Sequence, residues 1–349
     1  MIAAGGTAGH VRPALAVAEE LRERGVAVTF AGSPDRVESR LVPEAGFELD
    51  TFAVSGFPRR VSFGLVRAFA QAVQAPFACS RILTRRKPHV VLGGGGYVAG
   101  PMAFAARVRG IPAALTEADA HLGLANRLAA PFARRVFLAY AIPGRDGRKY
   151  SVVGRPTPRA HLGAEREASR AGLGLPLDRL VLAVFGGLAG AQALNELAVE
   201  AFGERGPAVL HISGERDYAS LRPRVHRDDY VLLASTDAFG AALAAADLAV
   251  SRAGGTVWEL AAAGTPAILV PYPHATADHQ TANARHFERG GGAVVVDQRD
   301  LPRVPALAEQ LLGDSPRLAR MSAAMHALAR PDAAAVVADE LVALAEAHA

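Results

Sequence analysis

Cysteine is nearly missing from this 349-residue sequence. Cys79 stands alone, so no disulfide can form within the chain and no cysteine-based zinc site can be built, a usage that suits the cytosol. No run reaches the roughly 18 uninterrupted apolar residues of a spanning helix. The opening MIAAGGTAGH has neither a charged n-region nor a usable h-region, so no signal peptide is read. Excess charge is also scarce. A net +4 with a pI near 9.6 suits an anionic ligand or an anionic membrane surface, and without a basic-aromatic repeat it gives no argument for nucleic acid. The Lys-Ser/Thr ending of a P-loop is absent, and so is a complete G-x-G-x-x-G turn with its downstream ribose acid, which disfavours a dehydrogenase.

What is present is half apolar, with 35 glycines and 22 prolines, enough to bury two cores. Short apolar runs alternate with amphipathic helical ones: MIAA, VAVTFAGS, HVVLGGGG, IPAALTE, RRVFLAY and YSVVG, with one more strand within Phe47 to Val54. That alternation indicates βαβ units and a parallel sheet. A helix from Phe63 to Arg86 carries Leu65, Val66, Phe69, Val73, Phe77 and Ile82 among arginines, a pattern that fits either a core stripe or a face resting on an anionic bilayer. From Gly154 to Gly174 the chain turns polar and proline-bearing and reads as a linker. The plan then restarts with RLVLAVFGG and ends in two helices, around Val304 to Leu312 and Asp332 to Ala347. The expected class is α/β, with two Rossmann-like parallel-sheet domains facing across a cleft.

The chain is organised around Ser251 to Ala284, SRAGGTVWELAAAGTPAILVPYPHATADHQTANA. Two successive strand-to-helix junctions there put Gly254, Gly255, Thr256, Glu259, Asp278, His279, Gln280 and Asn283 at one end of a sheet, where ligands bind in open parallel sheets. A turn opening a helix presents free backbone N–H groups, and Glu259, one helical turn in, is placed to accept hydrogen bonds from sugar or ribose hydroxyls. Glycine turns at Gly5, Gly93, Gly186 and Gly254 together suggest a site for a phosphate-bearing ligand. His10 enters the helix after the first of them. An imidazole with a pKa near 6.5 can take a proton from a hydroxyl, which makes His10 the best general-base candidate. Glu117 and Asp119 are the alternatives, with His121 weaker, and either carboxylate could equally cap the helix beginning near Leu122.

GGTAGHVRPALAVAEEL, VVLGGGGYVAGPMAFAARVRGIPAAL, LGLANRLAA, GAQALNE and above all SRAGGTVWELAAAGTPAILVPYPHATADHQTANAR resemble the MurG-like N-acetylglucosaminyltransferases of glycosyltransferase family 28, which have the GT-B fold. The resemblance runs in order over nearly the whole chain. It implies that residues 1–154 bind the acceptor, that 155–331 bind a UDP-sugar, and that the final helix, about 332–349, returns to the first domain. It implies donor contacts from Thr7, Gly9, Arg155, Gly187, Leu188, Gly190, Gly254, Gly255, Thr256, Glu259, His279 and Gln280, with Glu259 on the ribose and Thr256 near the diphosphate. Acceptor contacts fall to Gly95, Tyr97 and Asn126, and catalysis to His10, Glu117 and Asp119. The family's GGSQGA is GGLAGA here, its HEQN is Thr116-Glu117-Ala118-Asp119, and the arginine it carries after VGNPV is replaced by Pro158, leaving Arg155 or Arg159 to supply the charge.

The implied reaction is inverting transfer of GlcNAc from UDP-GlcNAc to lipid I, giving lipid II for the cell wall, with no cofactor. No Asp-x-Asp metal motif occurs, so backbone N–H groups and helix N-termini are expected to stabilise the leaving diphosphate without a metal. The implied partners are a UDP-sugar, a polyprenyl-linked acceptor and the anionic inner membrane, touched peripherally from the cytoplasm. The competing readings are a related transferase using another sugar nucleotide or acceptor, a nucleotide-sugar-binding protein without transfer activity, and a UDP-GlcNAc epimerase of the same fold.

Overall fold

The computed structural model describes residues 1–54, 63–187 and 190–348, with the side chains of 63–70 outside the description. The chain divides into two compact units, Met1–Pro158 with Asp332–Ala349, and Arg159–Pro331.

In the first unit the order is β1 (Ile2–Ala4), α1 (Ala8–Glu23), β2 (Thr29–Gly32), α2 (Glu38–Glu44), β3 (Glu48–Thr51), α3 (Phe63–Arg86), β4 (Val91–Gly95), α4 (Ala99–Val108), β5 (Ala113–Glu117), α5 (Leu124–Ala129), β6 (Arg135–Leu138) and β7 (Tyr150–Val152). All its strands are parallel, in the order β3-β2-β1-β4-β5-β6-β7. β1 and β4 are buried along their whole length, as strands covered by helices on both faces must be. The strand order reverses between β1 and β4, so the turns that follow them open at the crevice of the sheet.

The second unit runs α6 (Arg166–Leu173), β8 (Val181–Phe185), α7 (Gln192–Phe202), β9 (Ala208–Ile212), α8 (Glu215–Leu221), β10 (Tyr230–Leu233), α9 (Phe239–Ala245), β11 (Leu248–Ser251), α10 (Thr256–Ala263), β12 (Ala267–Leu269), α11 (His279–Arg289), β13 (Ala293–Val295), α12 (Val304–Leu312) and α13 (Ser315–Leu328). Its parallel sheet is ordered β10-β9-β8-β11-β12-β13, reversing between β8 and β11. α14 (Ala333–Glu346) belongs to the first unit. Its stripe of Ala334, Val337, Ala338 and Leu341 is buried in one cluster with Val11, Leu15 and Ala18 of α1. Arg24 pairs with Asp339 at 2.7 Å and Arg135 with Glu340 at 2.6 Å, and burying Val337 and Leu341 contributes about 1.5–3 kcal/mol each.

Three sequence expectations change. The polar stretch after Gly154 is not a plain linker, because α6 lies within it. Arg170 of that helix is buried, its Nε donating to the carbonyl of Ala245 and its guanidinium paired with Asp247 at 2.5 Å, so a charged residue acts as the helix's core contact. Three helices rather than two follow β13. α13 starts at Asp314, whose side chain accepts the Arg317 N–H at 2.9 Å, with Pro316 in the first turn and Leu318, Met321 and Met325 buried. In α3 the buried face is Ala75, Cys79, Ile82 and Leu83, whereas Val73 and Phe77 are exposed. Arg85 and Arg86 of α3 both bind the buried Asp50 carboxylate.

Candidate functional site

The turn from β1 into α1 puts Gly6 at φ +89° and Thr7 in an extended conformation, with the Thr7 carbonyl accepting the N–H groups of His10 and Val11. The half-buried His10 ring faces the Gly5 carbonyl with Nδ1 at 3.3 Å and the Thr7 hydroxyl at 3.2 Å. A carbonyl only accepts, so the neutral ring carries its proton on Nδ1 and keeps the lone pair on Nε2, the arrangement a base needs. Burial lowers the His10 pKa and the Arg155 charge lowers it further, against the opposing pull of Asp119, the Gly5 carbonyl and Glu38.

Gly95, at φ +103°, closes against this ring: a Cβ there would sit 2.6 Å from His10 Cδ2. Arg155 is buried and donates to the carbonyls of Gly9 and Ala118, tying the start of α1 to the loop after β5. A cavity of about 10 Å³, lined by Gly94, Glu117 and Arg155 among others, lies there and has room for one water at most. Tyr97 is exposed, just beyond the glycine turn.

Glu117 is committed to its own loop. Oε1 accepts the Asp119 N–H at 3.2 Å, and Oε2 accepts the Gly123 N–H and Asn126 Nδ2 at 2.9 Å each. Burial raises its pKa against these three hydrogen bonds, with the Asp119 charge adding to the rise. Asp119 and His121 are half-buried in the same loop. Asn126 also donates to the Thr116 carbonyl, and its buried Oδ1 has no partner among the described residues.

The sequence missed Glu38, which is fully buried. Its carboxylate accepts the Gly6 and Ser33 N–H groups at 2.9 Å each, so the first glycine turn does not offer its Gly6 N–H to a ligand. This corrects the reading that each of the four glycine turns is open. The signal was a contact 32 residues away along the chain, which no local pattern carries.

In the second unit, Gly187 at φ +91° and Gly190 at φ +71° shape the turn from β8 into α7, and Leu188 lies outside the described residues. A Cβ on Gly190 would meet the Ser213 carbonyl at 2.2 Å. Behind the turn, Asn195 donates to that carbonyl and to Asp217, and His211 bridges Asn195 Oδ1 at 3.0 Å and the Tyr230 hydroxyl at 2.9 Å. After β11, Gly254 faces open space and Gly255 leads into α10, where the Val257 and Trp258 N–H groups are taken by the Gly254 and Gly255 carbonyls, so that the N–H groups of Gly254, Gly255 and Thr256 are the ones that precede the helix's own acceptors. Asn283 holds this turn by donating to the Ala253 carbonyl at 3.3 Å.

Glu259 is half-buried one turn along α10, its Oε1 2.8 Å from Nδ1 of His161, a residue sequence reasoning did not select. After β12, Ala277 and Asp278 both take φ of +52°, a left-handed strain that non-glycine residues rarely hold. The loop delivers His279, bonded through Nδ1 to the Thr276 carbonyl, and Gln280, whose Oε1 accepts the Tyr272 N–H at 2.9 Å. Gln280 is thereby left with its amide NH₂ as a donor. The structure thus brings Thr7, Gly9, His10, Gly95 and Arg155 together around one turn system. It brings Gly254, Gly255, Thr256 and Glu259 together at another.

Residues 1–138 match the glycosyltransferase family 28 N-terminal domain and residues 181–337 the corresponding C-terminal domain. A UDP-N-acetylglucosamine--N-acetylmuramyl-(pentapeptide) pyrophosphoryl-undecaprenol N-acetylglucosamine transferase of Salinibacter ruber is 40% identical over 99% of this chain and 96% of its own length. The enzyme of the same name from Clavibacter michiganensis subsp. michiganensis is 43% identical over 97% and 94%. Among solved structures, Acinetobacter baumannii MurG superposes with a TM-score of 0.78 at 29% identity, covering 98% of this chain and 99% of its own. A putative UDP-N-acetylglucosamine 2-epimerase from Listeria monocytogenes, at TM-score 0.68, 14% identity and coverage of 97% and 94%, shares the fold.

Proposed function

We infer that this chain, which belongs to glycosyltransferase family 28, is the N-acetylglucosaminyltransferase that moves GlcNAc from UDP-GlcNAc to lipid I and so makes lipid II. The observation that carries the reading is full-length identity of 40–43% to transferases of that name. The two crevice turns, one bearing a neutral imidazole and the other a carboxylate one turn into a helix, fit the chemistry.

The acceptor hydroxyl attacks the anomeric carbon as the bond to the diphosphate oxygen breaks, and the α-linked donor becomes a β-glycoside. His10 Nε2 takes the hydroxyl proton. The N-terminus of α10, with Gly254, Gly255 and Thr256, offers N–H groups to the leaving diphosphate, and the Gly187–Gly190 turn supports the same nucleotide. Glu259 accepts from the ribose, and His279 and Gln280 serve the sugar hydroxyls. In the first unit Thr7, Gly9 and Arg155 shape the ground around His10, while Gly95, Tyr97 and Asn126 serve the acceptor. Glu117 acts by fixing the loop that carries Asp119 and Asn126, not as the base, because its oxygens already hold that loop. Charge on the leaving group is met by helix and backbone dipoles, so the reaction runs without a divalent ion.

The acceptor is lipid-linked, and we assign the enzyme a peripheral place on the cytoplasmic face of an anionic membrane. No helix among the described residues is long and apolar enough to cross one. Supporting the peripheral reading, Val73 and Phe77 on α3, Phe104 and Val108 on α4, and Leu124 and Leu128 on α5 are exposed on helices that pack in series.

Purified protein given UDP-GlcNAc and a lipid I analogue tests the assignment. Formation of the lipid-linked disaccharide in EDTA is the expected result. Donor hydrolysis without transfer, or faster turnover with another sugar nucleotide, overturns it.

A further inference from the structure

His161 comes from the polar stretch that composition alone assigns to a linker, yet its surroundings leave it little freedom. It ends a short 3₁₀ turn, Arg159–His161, that lies against α9. Gly240 of α9 makes that approach possible: a Cβ there would stand 2.7 Å from His161 Cα and 2.9 Å from the Ala160 carbonyl oxygen. The imidazole meets the Phe239 ring edge-on at 5.6 Å, and Phe239 in turn meets Phe185 at the end of β8 at 5.5 Å. With backbone and ring held on these sides, Nδ1 reaches Glu259 Oε1 at 2.8 Å, the two side chains being only 11% and 12% exposed.

We propose that His161 is a positioning residue for the nucleotide's ribose, holding the Glu259 carboxylate in the orientation that receives the sugar diol. This rests on the ribose role given to Glu259 above. A glutamate on a helix surface has several rotamers, and a diol needs one of them. The Nδ1–H occupies one lone pair of Oε1 and fixes the carboxylate plane, which leaves Oε2 and the remaining Oε1 lone pair pointing in set directions. Without that bond the side chain must be ordered when the nucleotide arrives. Ordering one such side chain weakens binding by about three- to tenfold. His161 does not touch the reacting atoms, so its loss acts on donor binding and leaves turnover at saturation unchanged.

The test measures the affinity of the full-length protein for UDP and for 2′,3′-dideoxy-UDP by calorimetry, with kcat and KM for UDP-GlcNAc alongside. His161→Ala is expected to weaken UDP by about three- to tenfold, to leave dideoxy-UDP unchanged and to raise KM at constant kcat. His161→Asn, whose amide nitrogen falls near the position of Nδ1, restores most of the affinity, whereas His161→Gln does not. Equal weakening toward both nucleotides, no weakening at all, or a fall in kcat alone overturns the proposal. Glu259→Ala separates the two readings. If it weakens UDP but not dideoxy-UDP while His161→Ala binds both as wild type does, the His161 role fails and the ribose role stands. If Glu259→Ala also binds both normally, the ribose role falls and the His161 proposal with it.

Discussion

Glu38 accepts the N–H of Gly6 at 2.9 Å, so a carboxylate from the start of α2 neutralises the turn after β1 from inside the protein. Its other oxygen takes the Ser33 N–H after β2, and Gly5 and Gly32 leave room for the side chain, since a Cβ on either would come within 2.7 Å of it. Two strand ends are thereby joined by one buried charge. Glu38→Ala leaves both N–H groups without an acceptor and is expected to cost about 2–4 kcal/mol, read as a lower urea midpoint. Glu38→Gln should lose nearly as much, because an amide can offer its oxygen to only one of the two donors. A loss below about 1 kcal/mol in both variants would show that the turn holds itself without Glu38.

The depressed pKa of His10 has a kinetic consequence. Burial first, and the Arg155 charge second, favour the neutral ring, so the base form persists below the ordinary 6.5. The acid limb of kcat/KM is therefore expected below pH 6.5, and Arg155→Gln should move it toward higher pH. His10→Ala should lower kcat by about a hundred- to ten-thousandfold. A limb at or above 6.5 in the wild type, or a limb that survives in His10→Ala, would take the base role from this residue.

The architecture was legible because it is written in local pattern. Apolar runs of strand length alternate with helical periodicity, and glycine marks the strand-to-helix turns, which is enough to specify two parallel sheets. The Ser251–Ala284 stretch was read correctly as strand, turn, helix, strand and helix for the same reason. What escaped depends on partners far along the chain. Glu38 meets Gly6 across 32 residues and His161 meets Glu259 across 98, with no spacing rule to betray either. α6 was hidden because its core contact is an arginine, Arg170, whose charge is satisfied by Asp247 and by carbonyls that only the folded unit supplies. The stop and start between α12 and α13 were visible in principle as Gly313-Asp314-Ser315-Pro316, a helix end followed by a cap and a first-turn proline.

His211 makes the stability of the second unit depend on pH. Burial pushes its pKa down to about 4, only partly offset by Asp217, while an unfolded histidine titrates near 6.5. Between those values the unfolded chain binds a proton that the folded network of Asn195 and Tyr230 refuses. The stabilisation is thus complete above pH 6.5 and is lost as pH falls toward 4, by up to about 3 kcal/mol. Urea titrations from pH 7 to 4 should show that loss, and His211→Gln should flatten it while lowering stability at pH 7. Parallel pH profiles for the two proteins would assign the slope to other groups.

The exposed apolar residues of α3, α4 and α5 give the membrane assignment a direct test. Phe77 is 69% exposed and Val108 70%, values that a face kept permanently in water does not require. Basic Arg81 and Lys87 are exposed toward the end of α3 and just beyond it, so both apolar insertion and attraction to anionic lipid are available. Taking a phenylalanine half out of water is worth about 1 kcal/mol, so Phe77→Ser should weaken co-sedimentation with phosphatidylglycerol vesicles about fivefold. Added salt should weaken it further by screening the basic residues. Leu177→Ser is the control. It removes a side chain that is 60% exposed in the second unit and should leave vesicle binding unchanged. Equal binding by the Phe77 variant and the wild type, at low salt and with both folded, would place the lipid contact elsewhere on the molecule.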